Sequence, residues 1–347
     1  MKYFALICLS FISIISCKEK NNIKLDTQQK ITLVIHGGAG NISQETLSEE
    51  RWNLYKQGLE EALDQGYEIL ESGGTSIDAV EKSISLMENN PLFNAGKGAV
   101  YNTYGKQEMD ASIMDGKTLN SGAVAGVNGI KNPIIAARTV MDSSKHVMFS
   151  GNGATLFAKE EGLEIVDSTY FYTKRRYDYW KSLKDKEKLG LDHNKLSFEE
   201  DLNYWEHKKY GTVGAVAIDK YGNIVAGTST GGLTNKQFGR IGDSPIIGAG
   251  TYANNKTCGV SCTGTGEYFI RTLAAHEVSS LVQYKNLPLQ EATDSVIYNR
   301  IEPLNGDGGM IALDKYGNVA YSFNTKGMFR AYKNSNGEKH INAFEKE

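Results

Sequence analysis

Two segments of this 347-residue chain read almost alike: residues 217–230 are AIDKYGNIVAGTST and residues 312–325 are ALDKYGNVAYSFNT. In each, an apolar stretch meets Asp-Lys-Tyr-Gly-Asn and then resumes. Gly-Asn supplies positive φ at little cost, so each copy is expected to be a β-hairpin. Hairpins must bury a face against another layer, and amphipathic periodicity elsewhere supplies candidates for it. Tyr55, Leu59, Leu63 and Leu70 recur at helical spacing after Thr46-Leu47-Ser48-Glu49, which has the spacing of a capping box, and the pattern stops at Gly73-Gly74. Thr75 to Asp78 reads as another cap, with Ile77, Val80, Ile84 and Met87 marking a second helix that ends before Pro91. Later helices are suggested by Phe269, Leu273 and Leu281, and by Leu289, Val296 and Ile301. Ile31 to Ile35 reads as a strand running into a glycine turn, His36-Gly37-Gly38-Ala39-Gly40. The expectation is an α+β fold of antiparallel sheet layers covered by helices.

Hydrophobic residues make up 40% of the chain and charged residues 23%, enough to bury a sizeable core. The 37 glycines fall in short clusters between periodic segments, which points to tight turns around a site. A net charge of −3 without a long basic run gives nucleic acid no footing. The six histidines are scattered and form no HExxH spacing, so the pattern of a catalytic zinc site is missing. Of four cysteines, Cys8 and Cys17 lie near the start, leaving Cys258 and Cys262. On a strand that pair would span about 13 Å, too far for a disulfide.

The first residues stand apart. Met1-Lys2 is a short basic start and Tyr3 to Ser16 is apolar, at about 14 residues too short for a membrane-spanning helix. With Cys17 following, residues 1–17 resemble a bacterial lipoprotein signal, in which Cys17 is lipidated; an ordinary secretory signal with a chance cysteine is the alternative. Residues 18–30 then form a polar tether. The implied place is the cell envelope of a bacterium, periplasmic or outer-membrane-anchored, with membrane contact through the N-terminal lipid alone. Residues 170–210 break the rhythm of the chain with dense charge and no steady apolar stripe, and the stretch from about 180 to 211 is expected to be a mobile, solvated connector. It ends at Gly211-Thr212, where a β pattern resumes at once.

GTVGAVA (residues 211–217) resembles the processing site of plant-type asparaginases and isoaspartyl peptidases, members of the N-terminal-nucleophile hydrolases. The likeness covers nearly all the mature chain: IHGGAG (35–40), NPLFNAGKGAV (90–100), MDASIMDG (109–116), TSTGG (228–232), GRIGDSPIIGAG (239–250) and SCTGTGE (261–267) occur in the family's order. It implies cleavage before Thr212 into an α subunit, residues 31–211, and a β subunit, residues 212–347, that together form one composite domain. A threonine hydroxyl lacks a base of its own. Once Thr212 is a chain terminus, its α-amino group, with a reference pKa of about 7.7–8.0, can take the hydroxyl proton. Glycine at 211 gives the backbone freedom before the cut, and threonine's branched Cβ restricts χ1.

Other roles follow from the resemblance. Thr230 corresponds to a second threonine that tunes the nucleophile, and Thr263 with Gly264 to an oxyanion hole. Arg240 would grip a substrate α-carboxylate and Asp243 its α-ammonium. Asn94 matches a residue near nucleophile and substrate, and the HGGAG turn a structural loop beside the active site. The loop around Met87, Glu88, Asn90, Phe93, Ala95 and Lys97 aligns with one that binds a structural sodium ion through backbone carbonyls, although Lys97 replaces an apolar residue of some members. No cofactor is required for the chemistry. The family fold implied is a four-layer αββα sandwich, assembled as a dimer of αβ heterodimers. The activity implied is self-cleavage, then hydrolysis of β-aspartyl peptides and of asparagine to aspartate and ammonia. Glycosylasparaginase is an alternative within the fold, and a non-catalytic lipoprotein that binds peptides or amino acids is one outside enzymes.

Overall fold

The computed structural model describes residues 30–192 and 211–344. The expected signal with Cys17, the expected tether up to residue 29 and most of the expected connector lie outside the described residues. Among the described residues no helix is long and apolar enough to cross a membrane.

Both expected hairpins form. Strands β5 (Val213–Ile218) and β6 (Ile224–Thr230) pair antiparallel, as do β9 (Gly308–Asp314) and β10 (Val319–Phe323). They belong to different sheets. The larger has the order β12-β11-β1-β5-β6-β2-β3-β4, adding β1 (Thr32–Gly40), β2 (Met109–Asp115), β3 (Ser121–Val127), β4 (Met148–Ser150), β11 (Gly327–Asn334) and β12 (Lys339–Phe344). The smaller has the order β10-β9-β8-β7, with β7 (Thr251–Ala253) and β8 (Cys258–Gly264).

Alternation along each strand sorts side chains into layers. Leu33 and Ile35 of β1 join Val213, Ala215 and Ala217 of β5 in a core beneath α1 (Glu49–Glu71), α2 (Ser76–Asn89), α3 (Pro133–Ser143) and α4 (Gly151–Glu160). Val34, Val216, Ile218, Ile311 and Leu313 fill the space between the sheets. Cys258, Val260 and Cys262 face a third core under α6 (Gly266–Thr272), α7 (Ala274–Lys285) and α8 (Leu289–Val296). The result is the αββα sandwich. Its central strands are buried on both faces, so they read as near-continuous apolar runs. Each fully buried leucine or isoleucine contributes about 1.5–3 kcal/mol.

Some local expectations are corrected. The N-cap of α1 is Ser48, whose side chain accepts the Arg51 N–H; Thr46 instead donates to the Asn41 carbonyl at 2.9 Å, one residue pair too early to cap. Thr75 does cap α2. Strand β1 does not stop at Ile35 but continues to Gly40, because β11 takes up its hydrogen bonds across a bulge between His36 and Gly38. The helix anticipated through Leu273 is two helices: Leu273 is left-handed at φ 48° and half-exposed, and the chain turns there between α6 and α7. Helix α5 (Lys174–Asp192) enters the expected connector. Its first turns dock on the loop after α2: the Arg176 Nε donates to the Gly98 carbonyl at 2.9 Å, and Tyr177 and Trp180 pack against Tyr101. Cys258 and Cys262 are buried free thiols.

Candidate active site

Strand parity brings the threonines together. Val213 points to the helix layer, so Thr212, immediately before it, faces the second sheet. On β6, Ile224 and Ala226 face between the sheets, which places Thr228 and Thr230 in the same file. The register pairs Val213 with Ser229, setting Thr212 across from Thr230. The Thr212 hydroxyl donates to the Thr230 hydroxyl at 3.1 Å, and the Thr230 oxygen also accepts the Gly232 N–H at 3.0 Å. On β8, Ser261 and Thr263 face inward because Val260 and Cys262 face the outer helices.

These residues meet at a cavity of about 30 Å³, lined by Gly211, Thr212, Thr230, Gly264, Arg240, Asp243 and Asn94 among others. That volume holds a water or two, not a dipeptide. Thr263 lies just behind, fully buried, its hydroxyl accepting the Ala39 N–H at 3.3 Å. A Cβ placed on Gly211 would lie 3.0 Å from that hydroxyl, so it faces the backbone just before Thr212. The HGGAG segment forms the other wall. Gly38 has φ 110°, and a Cβ there would come within 2.8 Å of the Gly211 nitrogen; only glycine lets the two backbones approach this closely. Asn94 spends both ends of its amide on backbone, donating to the Gly232 carbonyl at 2.8 Å and accepting the Val100 N–H at 3.0 Å. It thereby pins the turn that follows Thr230.

Arg240 and Asp243 sit on the loop after β6. Asp243 is buried, and its Oδ2 has no hydrogen-bond partner. Burial pushes its pKa up to about 6, against the pull of its own backbone N–H and of Arg240. A buried carboxylate oxygen left open is a costly arrangement that a cation would relieve. Arg240 is already gripped: its Nε and Nη2 donate to the Glu267 carboxylate at 2.8 and 2.7 Å. Nη1 keeps both of its donors and Nη2 one. Glu267 stands in the SCTGTGE segment, yet sequence reasoning gave it no role. Its position three residues after Gly264 was the available signal.

His36 was likewise passed over. It is fully buried beneath the site, its Nδ1 has no hydrogen-bond partner, and desolvation drives its pKa down to about 3. The imidazole is therefore neutral.

The loop after α2 turns its carbonyls inward: a Cβ on Gly98 would overlap the Phe93 oxygen, and one on Gly96 the Glu88 oxygen. The Met87 and Ala95 carbonyls each accept one N–H within the loop, from Asn90 and Gly98, which leaves each a lone pair. Asn90 accepts the Leu92 N–H through its side chain at 3.0 Å. The Glu88 side chain points away, accepting from Ser229 at 2.6 Å, and burial raises its pKa to about 7. Lys97 lays its ammonium 5.2 Å from the Tyr170 ring centre. Among the described residues no cluster of three His, Cys, Asp or Glu side chains could hold a metal, so any ion here would rest on carbonyls.

Known proteins resemble this chain over most of its length. The family model described as asparaginase matches residues 29–343. An isoaspartyl peptidase of Salmonella typhimurium is 48% identical over 303 residues, covering 87% of this chain and 95% of that protein. The isoaspartyl peptidase of Escherichia coli is 47% identical, covering 87% and 92%. A plant-type L-asparaginase of Pyrococcus horikoshii is 43% identical, covering 87% and 96%. With the match running from β1 to β12, this chain belongs to the asparaginase family.

Proposed function

We propose that the chain cuts itself between Gly211 and Thr212 and then works as an isoaspartyl peptidase and L-asparaginase. The observation that carries this reading is the Thr212 hydroxyl, set on Thr230 at 3.1 Å in a cavity that also holds the open carboxylate of Asp243.

In the first step the Thr212 hydroxyl adds to the Gly211 carbonyl, the C–N bond breaks, and the acyl group moves to oxygen. Water then hydrolyses the ester, leaving the Gly211 carboxylate and a free α-amine on Thr212. The cut does two things: it creates the base, and it lets Gly211 leave the small cavity so that a substrate fits. In turnover the amine takes the hydroxyl proton as Oγ1 attacks the side-chain carbonyl of the aspartyl or asparaginyl group. The negative charge that develops on the carbonyl oxygen is met by the Thr263 hydroxyl and the Gly264 N–H. The leaving amine or ammonia carries off the proton, and water releases aspartate from the acyl-enzyme. Asp243, freed of its burial cost by the substrate α-ammonium, and Arg240, through Nη1, hold the head group.

The sequence motifs and inward carbonyls support a sodium ion held by the backbone of Met87, Glu88, Asn90, Phe93, Ala95 and Lys97; the hydrolysis itself draws on no cofactor. Lipidation at Cys17, a cell-envelope location and assembly as a dimer of αβ heterodimers complete the proposal, resting on the N-terminal sequence and the family likeness.

The test is direct. On a denaturing gel the aged wild type should split, with one fragment beginning at Thr212, and it should release aspartate from a β-aspartyl dipeptide. Thr212→Ala should do neither. Self-cleavage in that variant, turnover of glycosylated asparagine alone, or a wild type that stays whole and merely binds peptides would each overturn the reading.

A further inference from the structure

Directly beneath the site lies a row of buried hydroxyls that the chemistry above does not use. The Ser112 hydroxyl lies 2.8 Å from that of Thr251 and 2.6 Å from the Ser244 carbonyl. Thr251 donates to Thr228 at 2.6 Å, Thr228 lies 2.7 Å from Ser261, and Ser261 lies 3.0 Å from the His36 Nε2. All five side chains are fully buried. They come from five strands in two sheets: β2, β7, β6, β8 and β1. Each faces the inter-sheet space, where the rest of the layer is filled by Val216, Ile218, Ile311 and Leu313.

A dry row of hydroxyls costs desolvation unless every member is partnered. Apolar side chains fill the same layer elsewhere, so packing alone gives no reason for it. Its placement does. Thr228 is one pleat below Thr230, and Ser261 one pleat below Thr263. Ser244 follows Asp243, and the Gly250 carbonyl, 3.1 Å from the Thr228 hydroxyl, closes the same loop. At the other end His36 lies on β1 opposite Gly214 of β5, two residues after Thr212. Each hydroxyl has one proton to give. With Ser112 donating to the Ser244 carbonyl and Thr228 to the Gly250 carbonyl, Thr251 and Ser261 each donate to Thr228, and the His36 Nε2–H donates to Ser261.

We infer that this Ser112–Thr251–Thr228–Ser261–His36 row is a positioning relay that locks the sheet carrying Thr212 to the loop carrying Asp243. It sets the distance between nucleophile and substrate head group across the two sheets. None of its members touches the substrate. The inference rests on the proposed function, and its test separates the two.

Thr228 is the central link. Thr228→Val keeps the shape and removes the hydroxyl; Thr228→Ser keeps the hydroxyl and removes a methyl. A relay requires the serine variant to stay near wild type and the valine variant to lose about tenfold or more in kcat on a β-aspartyl dipeptide, because buried partners go unmet. The pH profile of kcat should shift in the valine variant only, since the Thr212 amine is then held differently. Packing alone demands the opposite order. A valine variant with wild-type kcat, or a serine variant as impaired as valine, overturns the relay. Should the valine variant fail to fold, Ser261→Ala removes the neighbouring link at little cost in volume; the same loss in kcat is expected, and wild-type turnover there refutes the idea. A wild type that neither splits nor turns over the dipeptide sinks both readings, whereas an active wild type matched by Thr228→Val sinks the relay alone.

Discussion

Replacing Thr263 by valine tests the oxyanion assignment more sharply than any change at the nucleophile. Valine has nearly the same shape, and Thr263 is fully buried, so packing between β8 and the HGGAG segment should survive. Two things are lost. The Ala39 N–H, 3.3 Å from the Thr263 hydroxyl, loses its acceptor, which costs about 1–3 kcal/mol of folding stability. In a domain of this size that lowers Tm by several degrees. The second loss is in the transition state. One oxyanion donor is worth about 2.7–4 kcal/mol of barrier, a factor of about 10²–10³ in kcat. The Gly264 N–H remains, so activity falls without vanishing. KM should change little, since Arg240 and Asp243 hold the ground state. The assay is kcat and KM on a β-aspartyl dipeptide, normalised to the fraction of chains beginning at Thr212, because a hydroxyl facing Gly211 also assists the cut. A fully processed Thr263→Val enzyme within about threefold of wild-type kcat would remove Thr263 from the oxyanion hole.

Arg240→Ala should raise KM for substrates with a free α-carboxylate by about tenfold or more while sparing kcat, and unchanged affinity in a binding titration would strip Arg240 of its role. Asp243, raised to about 6 by burial, must ionise to hold an α-ammonium. Hence kcat/KM should climb as pH rises toward about 6, and Asp243→Asn should lose that limb along with most binding; a flat wild-type profile below pH 6 contradicts this. The same shift has a stability sign. Between the unfolded carboxylate pKa of about 3.9 and the folded value, the native state holds more protons, so this group makes the ligand-free protein less stable as pH rises through that window. Thermal melts of wild type against Asp243→Asn measure the difference. Gly38→Ala places a Cβ 2.8 Å from the Gly211 nitrogen at φ 110°, and should slow self-cleavage or unfold the precursor; normal processing kinetics would show that the close approach is dispensable.

What the sequence determined alone is local. Asp-Lys-Tyr-Gly-Asn turns close hairpins wherever they stand, Thr75 caps its own helix, and Gly211-Thr212 marks one bond through its wording and its neighbours. These signals act within a few residues, where covalent geometry and local hydrogen bonds decide. Even there, reach was limited. Thr46 and Ser48 are both capping residues, and only the observed hydrogen bond distinguishes them. The pattern of β1 looked finished at His36, yet its glycines stay in the sheet because β5 and β11 offer partners on both edges. No local rule marks Leu273 as the left-handed break between helices, which packing on the second sheet imposes. The site is the same lesson at larger scale. The resemblance named Thr212, Thr230, Thr263 and Arg240, and the local β5–β6 hairpin put Thr212 opposite Thr230, but only the packing of two sheets made Thr263 face Gly211, and only the fold gave Arg240 to Glu267. A strand's period of two tells which residues share a face; which face meets which is fixed only when segments hundreds of residues apart settle into register. Burial, which leaves Asp243 open and His36 neutral, exists only after that.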